Sequence, residues 1–350
     1  MINLGIIGGG QLAYMLCESS IKLDSHINNI FIFFDKKDIP CNYLINNKIH
    51  IFYGEYNKEN ITNFSKKCDI ITYEFENIDT NLFTDIKIDI YPKLYLLNII
   101  QDKYIQKKYL LNNNILVGSF KELNNINDLY DFINIYNYPV FLKKRKGSFD
   151  GRGNIKINNI NDIQSLNINI NEYYVEDYIN FDCELSICGC KNNDEIICYD
   201  PVMNKHKDSI LIKTEYNKDL FTNDIINKIK EKYKEILKIF DTKGVICVEF
   251  FKVDNKIYVN EIALRVHNTY HISIDCCNIS QFDMHIRSIL GLNIIKPVFM
   301  YNCIMYNIIS NLQNLDDIFK LIKENKYIFV KKYFKKEVGR RKIGHVNIIL

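Results

Sequence analysis

The sequence predicts an α/β and α+β protein of two or three domains, with a first boundary near residue 100. Three observations carry that expectation. The chain opens on a strand, a glycine turn and a helix start, NLGIIGGGQLAYML. A strand bearing lysines leads into a second glycine-rich stretch, PVFLKKRKGSFDGRGNIKI. Two consecutive strand-like segments, VICVEFF and KIYVNEIAL, each carry a glutamate. At roughly 100–200 residues per domain, 350 residues allow two or three domains, and a hydrophobic fraction of 47% supplies their cores.

The first element begins a Rossmann-like βαβ unit, because the next strand-like run, NIFIFFD, ends in Asp35. Gly8, Gly10 and Ala13 satisfy the G-x-G-x-x-G/A fingerprint, and Asp35 lies about 20 residues on, so a nicotinamide-dependent oxidoreductase is one reading. The fingerprint specifies an anion site more than a cofactor, since any strand-to-helix turn whose amides face a phosphate needs small residues there. CDIITYEFENI then reads as a strand whose polar end, with Glu74 and Glu76, emerges at the carboxyl edge where open α/β sheets bind ligands. From Pro92 to about Gln101 the pattern loosens, a first boundary, and the polar helix QDKYIQKKYLLNNN follows.

The second glycine-rich stretch places Lys143 on a strand before Gly147, Gly151 and Gly153, with Arg145, Lys146, Asp150 and Arg152 interleaved. Glycines let backbone amides approach phosphate oxygens, and the basic side chains offset polyphosphate charge. The stretch lacks P-loop spacing and precedes more strand rather than a helix, so a solvated hairpin is the alternative. Further on, YYVEDYINFDCELSI supplies a strand with Glu176 and then Glu184 at the head of another.

The third element reads as a hairpin, its strands rich in β-branched and aromatic residues and its KVDNK link rich in turn formers. Glu249 and Glu261 then sit on neighbouring strands. A carboxylate inside an apolar strand is costly unless paired, protonated or bound to a cation, so two of them suggest a shared hard cation, with magnesium holding ATP phosphates the usual case. The alternative points one or both outward on a half-solvated sheet. His267 and His271 stand four apart, yet without HExxH or a third ligand they do not predict zinc.

A formal net charge of +3 is too small to predict a nucleic-acid or membrane surface, although a basic cluster runs from Lys331 to Lys342. The eleven cysteines lack a CxxC pair and suit a reducing compartment. The glycine-interrupted amino terminus is a poor signal peptide, and no apolar run approaches the ~18 residues of a membrane span, so the expectation is a soluble cytoplasmic protein. Abundant Asn, Ile, Lys and Tyr with no Trp looks like drift of base composition, and the Asn-rich stretches read as surface loops rather than disorder.

Strand-lysine, glycine loop, acidic hinge and carboxylate pair, in that order, resemble the ATP-grasp fold. Within it, GGGQLAYM, DIITYEFENI, KKRKGSFDGRG, YVEDYINFDCELS, VEFF, VNEIALRVHN, ISQFDMHIRSILGL and GRRKIGHVNII are similar, over nearly the whole chain, to the motifs of the 5-(carboxyamino)imidazole ribonucleotide synthases. The resemblance implies a Rossmann-like domain over 1–100, an ATP-grasp region of two lobes over 101–293 and a small β-rich module over 294–350. It implies ATP- and magnesium-dependent carboxylation of 5-aminoimidazole ribonucleotide by bicarbonate through carboxyphosphate, and a homodimer.

Carried over by motif, Lys103 and Lys143 would hold ATP phosphates under a loop of Gly147, Ser148, Phe149, Asp150, Gly151, Arg152 and Gly153. Glu176, Asp177, Tyr178 and Ile179 would read adenine, Glu184 the ribose hydroxyls, and His206 another position on the nucleotide side. Glu249 and Glu261 become the metal ligands, with Asn260 adjacent and Ala263 where many ATP-grasp enzymes place an Asn. Arg265, His267 and Asn268, with Asp150 and Arg152, would be catalytic. Gln11, Leu12, Glu74, Glu76, Lys336, Arg341 and Lys342 would bind the ribonucleotide.

The chain departs from the family at GGGQLAYM, usually GGGQLGRM, at GSFDG, usually GGYDG, and at LRVHNTYH, usually PRxHNSGH. Its carboxyl motif is one residue shorter near Gly339 and lacks the usual trailing helix. Two other readings remain: an ATP-grasp ligase with another acceptor, such as a formate-dependent glycinamide ribonucleotide formyltransferase, and a nucleotide-binding remnant without turnover.

Overall fold

The computed structural model describes residues 1–147, 153–192, 195–310, 320, 323–324, 327–335, 339 and 341–350. At the amino end, strands β1 (Ile2–Ile7), β2 (Ile27–Phe34), β3 (Ile49–Tyr53), β4 (Ile70–Tyr73) and β5 (Asp89–Ile90) alternate with helices α1 (Gln11–Ile21) and α2 (Lys58–Ser65). All pair in parallel, in the order β3-β2-β1-β4-β5. The order reverses at β1, which opens a crevice beyond the carboxyl ends of β1 and β4.

Helices α3 (Leu94–Gln101) and α4 (Lys103–Asn112) lead to a small lobe, α4 starting where the Asp102 carboxylate accepts the Tyr104 and Ile105 N–H groups. The lobe is an antiparallel sheet of β6 (Phe120–Glu122), β7 (Val140–Lys144), β8 (Asn154–Ile157) and β9 (Tyr173–Asp177), backed by α5 (Ile126–Tyr136) and α6 (Ile160–Gln164). It has a hydrophobic cluster of its own around Leu129, Phe132, Val140, Leu142 and Val175.

The remaining strands form one antiparallel sheet from β10 (Cys183–Asn192), β11 (Glu195–Cys198), β12 (Val202–Lys207), β13 (Ile210–Tyr216), β14 (Val245–Val253) and β15 (Lys256–Ala263), continuing into β16 (Cys303–Ile309), β17 (Ile328–Lys332) and β18 (Lys342–Ile349). Its order is β15-β14-β10-β12-β13-β16-β18-β17, with β11 on the side of β10. Helix α7 (Asn223–Ile239) buries Ile229, Tyr233, Ile236 and Leu237, one stripe at helical spacing. The short α8 (Ser273–Cys276) and α9 (Gln281–Ile289) follow β15, and α9 packs against α1 and β10.

One hydrophobic cluster runs from Leu4 of β1 and Leu16 of α1 through Cys247, Tyr270 and Phe282 to Met305 near the carboxyl end. Buried His285 of α9 joins the same parts by hydrogen bonds: its Nδ1 accepts the Val245 N–H at 3.1 Å, so its Nε2 donates to Thr72 Oγ1 at 2.8 Å. Among the described residues no helix is long and apolar enough to cross a membrane.

Candidate active site

The β14–β15 hairpin sets the floor of the cleft. Glu249 and Glu261 are direct cross-strand partners, and a bulge falls between Glu249 and Phe250. Such bulges re-aim side chains and are common beside active sites. Lys103, the first residue of α4, reaches across to Glu261 Oε2 at 3.0 Å. Desolvation opposes the charge on Glu261, yet Lys103 outweighs it and lowers that carboxyl, whereas burial and then Glu261 itself raise Glu249. The pair thus shares one cation-sized excess of negative charge, built wholly of oxygen donors.

Around it lie two adjoining cavities. The first, of about 430 Å3, lies between the small lobe and the large sheet. Lys143, Glu176, Asp177, Tyr178, Ile179, Glu184, His206, Glu249 and Asn260 all line it. Its apolar walls include Phe181 and Phe251, stacked at 4.6 Å with planes 4° apart. The His206 Nδ1 is hydrogen-bonded to Glu184, and Lys143 Nζ contacts Glu176 Oε2 at 2.7 Å.

The second cavity, of about 710 Å3, opens toward the amino-terminal sheet and is lined by Gln11, Leu12, Glu74, Gly147, Arg341 and Lys342, along with Lys36 and Lys335. Glu76, Lys103, Glu261, Arg265, His267, Asn268 and Lys342 border both cavities. Gly153 lies immediately before β8, its carbonyl accepting the Lys144 N–H. Ser148, Phe149, Asp150, Gly151, Arg152 and Lys336 lie outside the described residues.

Glu74 accepts the Gly10 N–H and, at 2.8 Å, the Ala13 N–H, so the anion site at the start of α1 is filled by the chain's own carboxylate. Gly8, at φ +122°, has no room for a Cβ, which would come within 2.2 Å of Glu74 Cγ. A dinucleotide pyrophosphate would need that space, so the glycine fingerprint is not serving a nicotinamide cofactor. Glu76 accepts the Leu264 N–H at 3.0 Å and lies 3.6 Å from Arg265 Nε, tying the arginine loop to β4.

His267 and Asn268 follow. His267 Nδ1 faces Thr269 Oγ1 at 3.0 Å, and burial, then Arg265 and Lys342, push the imidazole well below its usual pKa, so the ring is neutral. Both side-chain polar atoms of Asn268 are buried without a hydrogen-bond partner among the described residues, in a segment that borders both cavities. A buried amide left unpaired is costly and calls for a ligand.

A family model for the ATP-grasp domain matches residues 108–282, and one for the ribonucleotide synthetase preATP-grasp domain matches residues 1–101. The N5-carboxyaminoimidazole ribonucleotide synthase of Staphylococcus aureus (strain MRSA252) is 31% identical over 99% of this chain and 92% of that protein. The chain belongs to the N5-carboxyaminoimidazole ribonucleotide synthase family, within the ATP-grasp group. Among solved structures, the Aspergillus clavatus synthase complexed with ATP has a TM-score of 0.90 at 29% identity, covering 100% of this chain and 94% of that one. The same fungus's synthase in complex with ADP and 5-aminoimidazole ribonucleotide has a TM-score of 0.87 at 27% identity, with the same coverage.

Family motifs did not single out Lys107, yet it is buried on α4, 3.3 Å from Glu176 Oε1 and donating to the Val259 carbonyl. Its position four residues after Lys103, on one helix face, was the available signal. Burial would raise Glu176, but Lys107 and Lys143, with the Tyr174 hydroxyl at 2.6 Å, bring it down to about 2. Arg145, read as a counter-charge for phosphate, lines the second cavity while it grips Asp102 at 2.9–3.1 Å and Glu122 and lies over the Tyr104 ring. Gln281 was also missed: an α9 side chain that is wholly buried beside His267.

Proposed function

We propose that the paired cavities carry out one ATP-dependent carboxylation: 5-aminoimidazole ribonucleotide, bicarbonate and ATP give N5-carboxyaminoimidazole ribonucleotide, ADP and phosphate. The observation that carries this reading is that one set of residues, Glu261, Arg265, His267 and Asn268, borders both a cavity of nucleotide size and a second, basic-rimmed cavity. A reaction that passes a group from ATP to a second substrate needs such a shared wall.

In the first cavity, Lys103 and Lys143 would hold phosphates, Glu184 the ribose, and the Glu176–Ile179 edge the base, between the stacked Phe181 and Phe251 and the small lobe. Glu249 and Glu261, with Asn260 beside them, suit Mg2+: two carboxylates from the protein leave the remaining positions for phosphate oxygens and water. When bound, that ion neutralises charge on the phosphates. Residues 147–153 would close over them and keep water from the intermediate.

Chemically, a bicarbonate oxygen attacks the γ-phosphorus and ADP leaves, giving carboxyphosphate. The ribonucleotide amine then attacks its carbonyl carbon, phosphate leaves, and the amine loses a proton. Arg265 would stabilise charge at the transferring phosphoryl group, as Asp150 and Arg152 would from the loop, while the unpaired Asn268 amide and the neutral His267 orient bicarbonate. Gln11, Leu12, Glu74 and Glu76 would face the ribonucleotide, with Lys336, Arg341 and Lys342 clamping its phosphate. We further infer a cytoplasmic homodimer, from the family resemblance and eleven free cysteines.

The test is ADP release by purified protein with magnesium and bicarbonate, with and without the ribonucleotide. Ribonucleotide-stimulated release that Glu261→Ala abolishes supports the reading; stimulation with formate in place of bicarbonate, or ATP binding without stimulation, overturns it.

A further inference from the structure

Phe334 adopts φ +52°, a left-handed backbone that is uncommon for a bulky side chain. Such strain persists only where surrounding contacts impose it. Here the contacts are aromatic and come from the other end of the chain. The Phe334 ring stacks on Tyr43 at 4.6 Å with planes 15° apart, and lies 5.6 Å from Tyr14 at 45°. Tyr43 closes a 3-10 turn after β2, and Tyr14 sits on the first turn of α1. One turn further along α1, Glu18 pairs with Lys331, whose Nζ also lies 5.0 Å over the Tyr14 ring.

The left-handed residue sends three consecutive side chains to three partners. Tyr333 is buried with its hydroxyl on His345 Nδ1 at 2.8 Å, Phe334 meets the amino-terminal domain, and Lys335 lines the second cavity beside Gln11, Leu12 and Glu74. Lys335 thus brings a cation to that cavity from the carboxyl end, next to the ring contact between Phe334 and Tyr14.

We propose that Phe334 is a positioning residue, its ring wedged against Tyr43 and Tyr14 so that Lys335 is held at the second cavity and sets that cavity's affinity for a phosphorylated ligand. The proposal rests on the reading of that cavity as the ribonucleotide site. Neither Phe334 nor Tyr43 lines the nucleotide cavity, so ATP binding does not depend on them.

The experiment compares Phe334→Ala, Phe334→Gly, Phe334→Tyr and the surface substitution Tyr43→Ala in the full chain. Losing the ring contacts raises KM for the ribonucleotide about 3- to 10-fold, with kcat and the KM for ATP within about twofold of the parent. Phe334→Tyr, which keeps the ring, restores the parent KM. Phe334→Gly relieves the backbone without supplying a ring and behaves like Phe334→Ala; parent-like KM in Phe334→Gly, or equal losses in kcat and ATP binding across the set, overturns the proposal. Calorimetric binding of ribose 5-phosphate reads the same cavity without turnover. A parent protein that binds this probe but releases no ADP overturns the reaction while the variants still test the wedge; one that does not bind it overturns both.

Discussion

Gln281 grips the His267 peptide from both sides: its Oε1 accepts the His267 N–H at 2.8 Å and its Nε2 donates to the His267 carbonyl at 2.7 Å. The backbone N–H fixes which way the amide points, so the remaining Nε2 hydrogen goes to His271 Nδ1 at 2.9 Å, and His271 carries its own proton on Nε2. Every hydrogen-bonding atom of this buried side chain except one acceptor lone pair is thus committed to the loop that presents His267 and Asn268.

Replacing Gln281 with Leu removes all three bonds at nearly constant volume. We expect turnover to fall by about 10- to 100-fold through misplacement of that loop, with the dissociation constant for ADP unchanged. A parent-like rate in Gln281→Leu would refute the role.

Glu249 and Glu261 oppose each other across strands, so without metal their like charges work against folding. Glu249→Gln is therefore expected to melt higher than the parent in chelator, and lower once magnesium and ATP are added. Unchanged stabilisation by magnesium-ATP in the variant would show that the metal binds elsewhere.

Glu176 is held at about 2 against an ordinary 4.5. A depressed folded-state pKa contributes stability that is complete above about pH 4.5 and is lost as pH falls toward about 2. Lys107→Met breaks this buried pairing and should cost about 3–5 kcal/mol at neutral pH. The gap between parent and variant should then narrow as the solution is acidified through that window; a gap independent of pH in urea titrations would contradict the assignment.

Gly8→Ala places a methyl group inside the Glu74 side chain as well as imposing φ +122° on an alanine. Gly147→Ala, at φ +70° with nothing within 4 Å, meets only the backbone cost, about 1 kcal/mol. Thermal melts should therefore show Gly8→Ala losing at least about twice as much as Gly147→Ala, since steric overlap adds to the strain; equal losses would mean the turn relaxes freely.

Much of the site was legible because its chemistry is unusual for its setting. Glutamates inside β-branched strands and glycines between a strand and a helix each had a bland alternative, and the structure sets Glu249 opposite Glu261 while the glycine turn holds the chain's own Glu74. Lys107 was not legible for the opposite reason: a lysine on a polar helix is ordinarily solvated, and only the arrival of Glu176 from β9 makes it a buried partner. Gln281 stands 14 residues from His267, and its role exists only once α9 folds against the loop that carries His267. Glu74 was read as facing a ligand, and its hold on the amides of α1 depends on β1 and β4 lying side by side, a relation no local pattern records.

The large sheet passes without a break from β13 to β16, by four residue pairs from Lys213↔Tyr306 to Tyr216↔Cys303. A version of the chain stopped at residue 293 would leave β13 with a row of bare amides and carbonyls. Raw edges of this kind recruit strands from other molecules. Its first symptom would be precipitation during expression rather than a quiet loss of catalysis, and rescue would come from supplying the missing strands as a separate peptide rather than from more substrate.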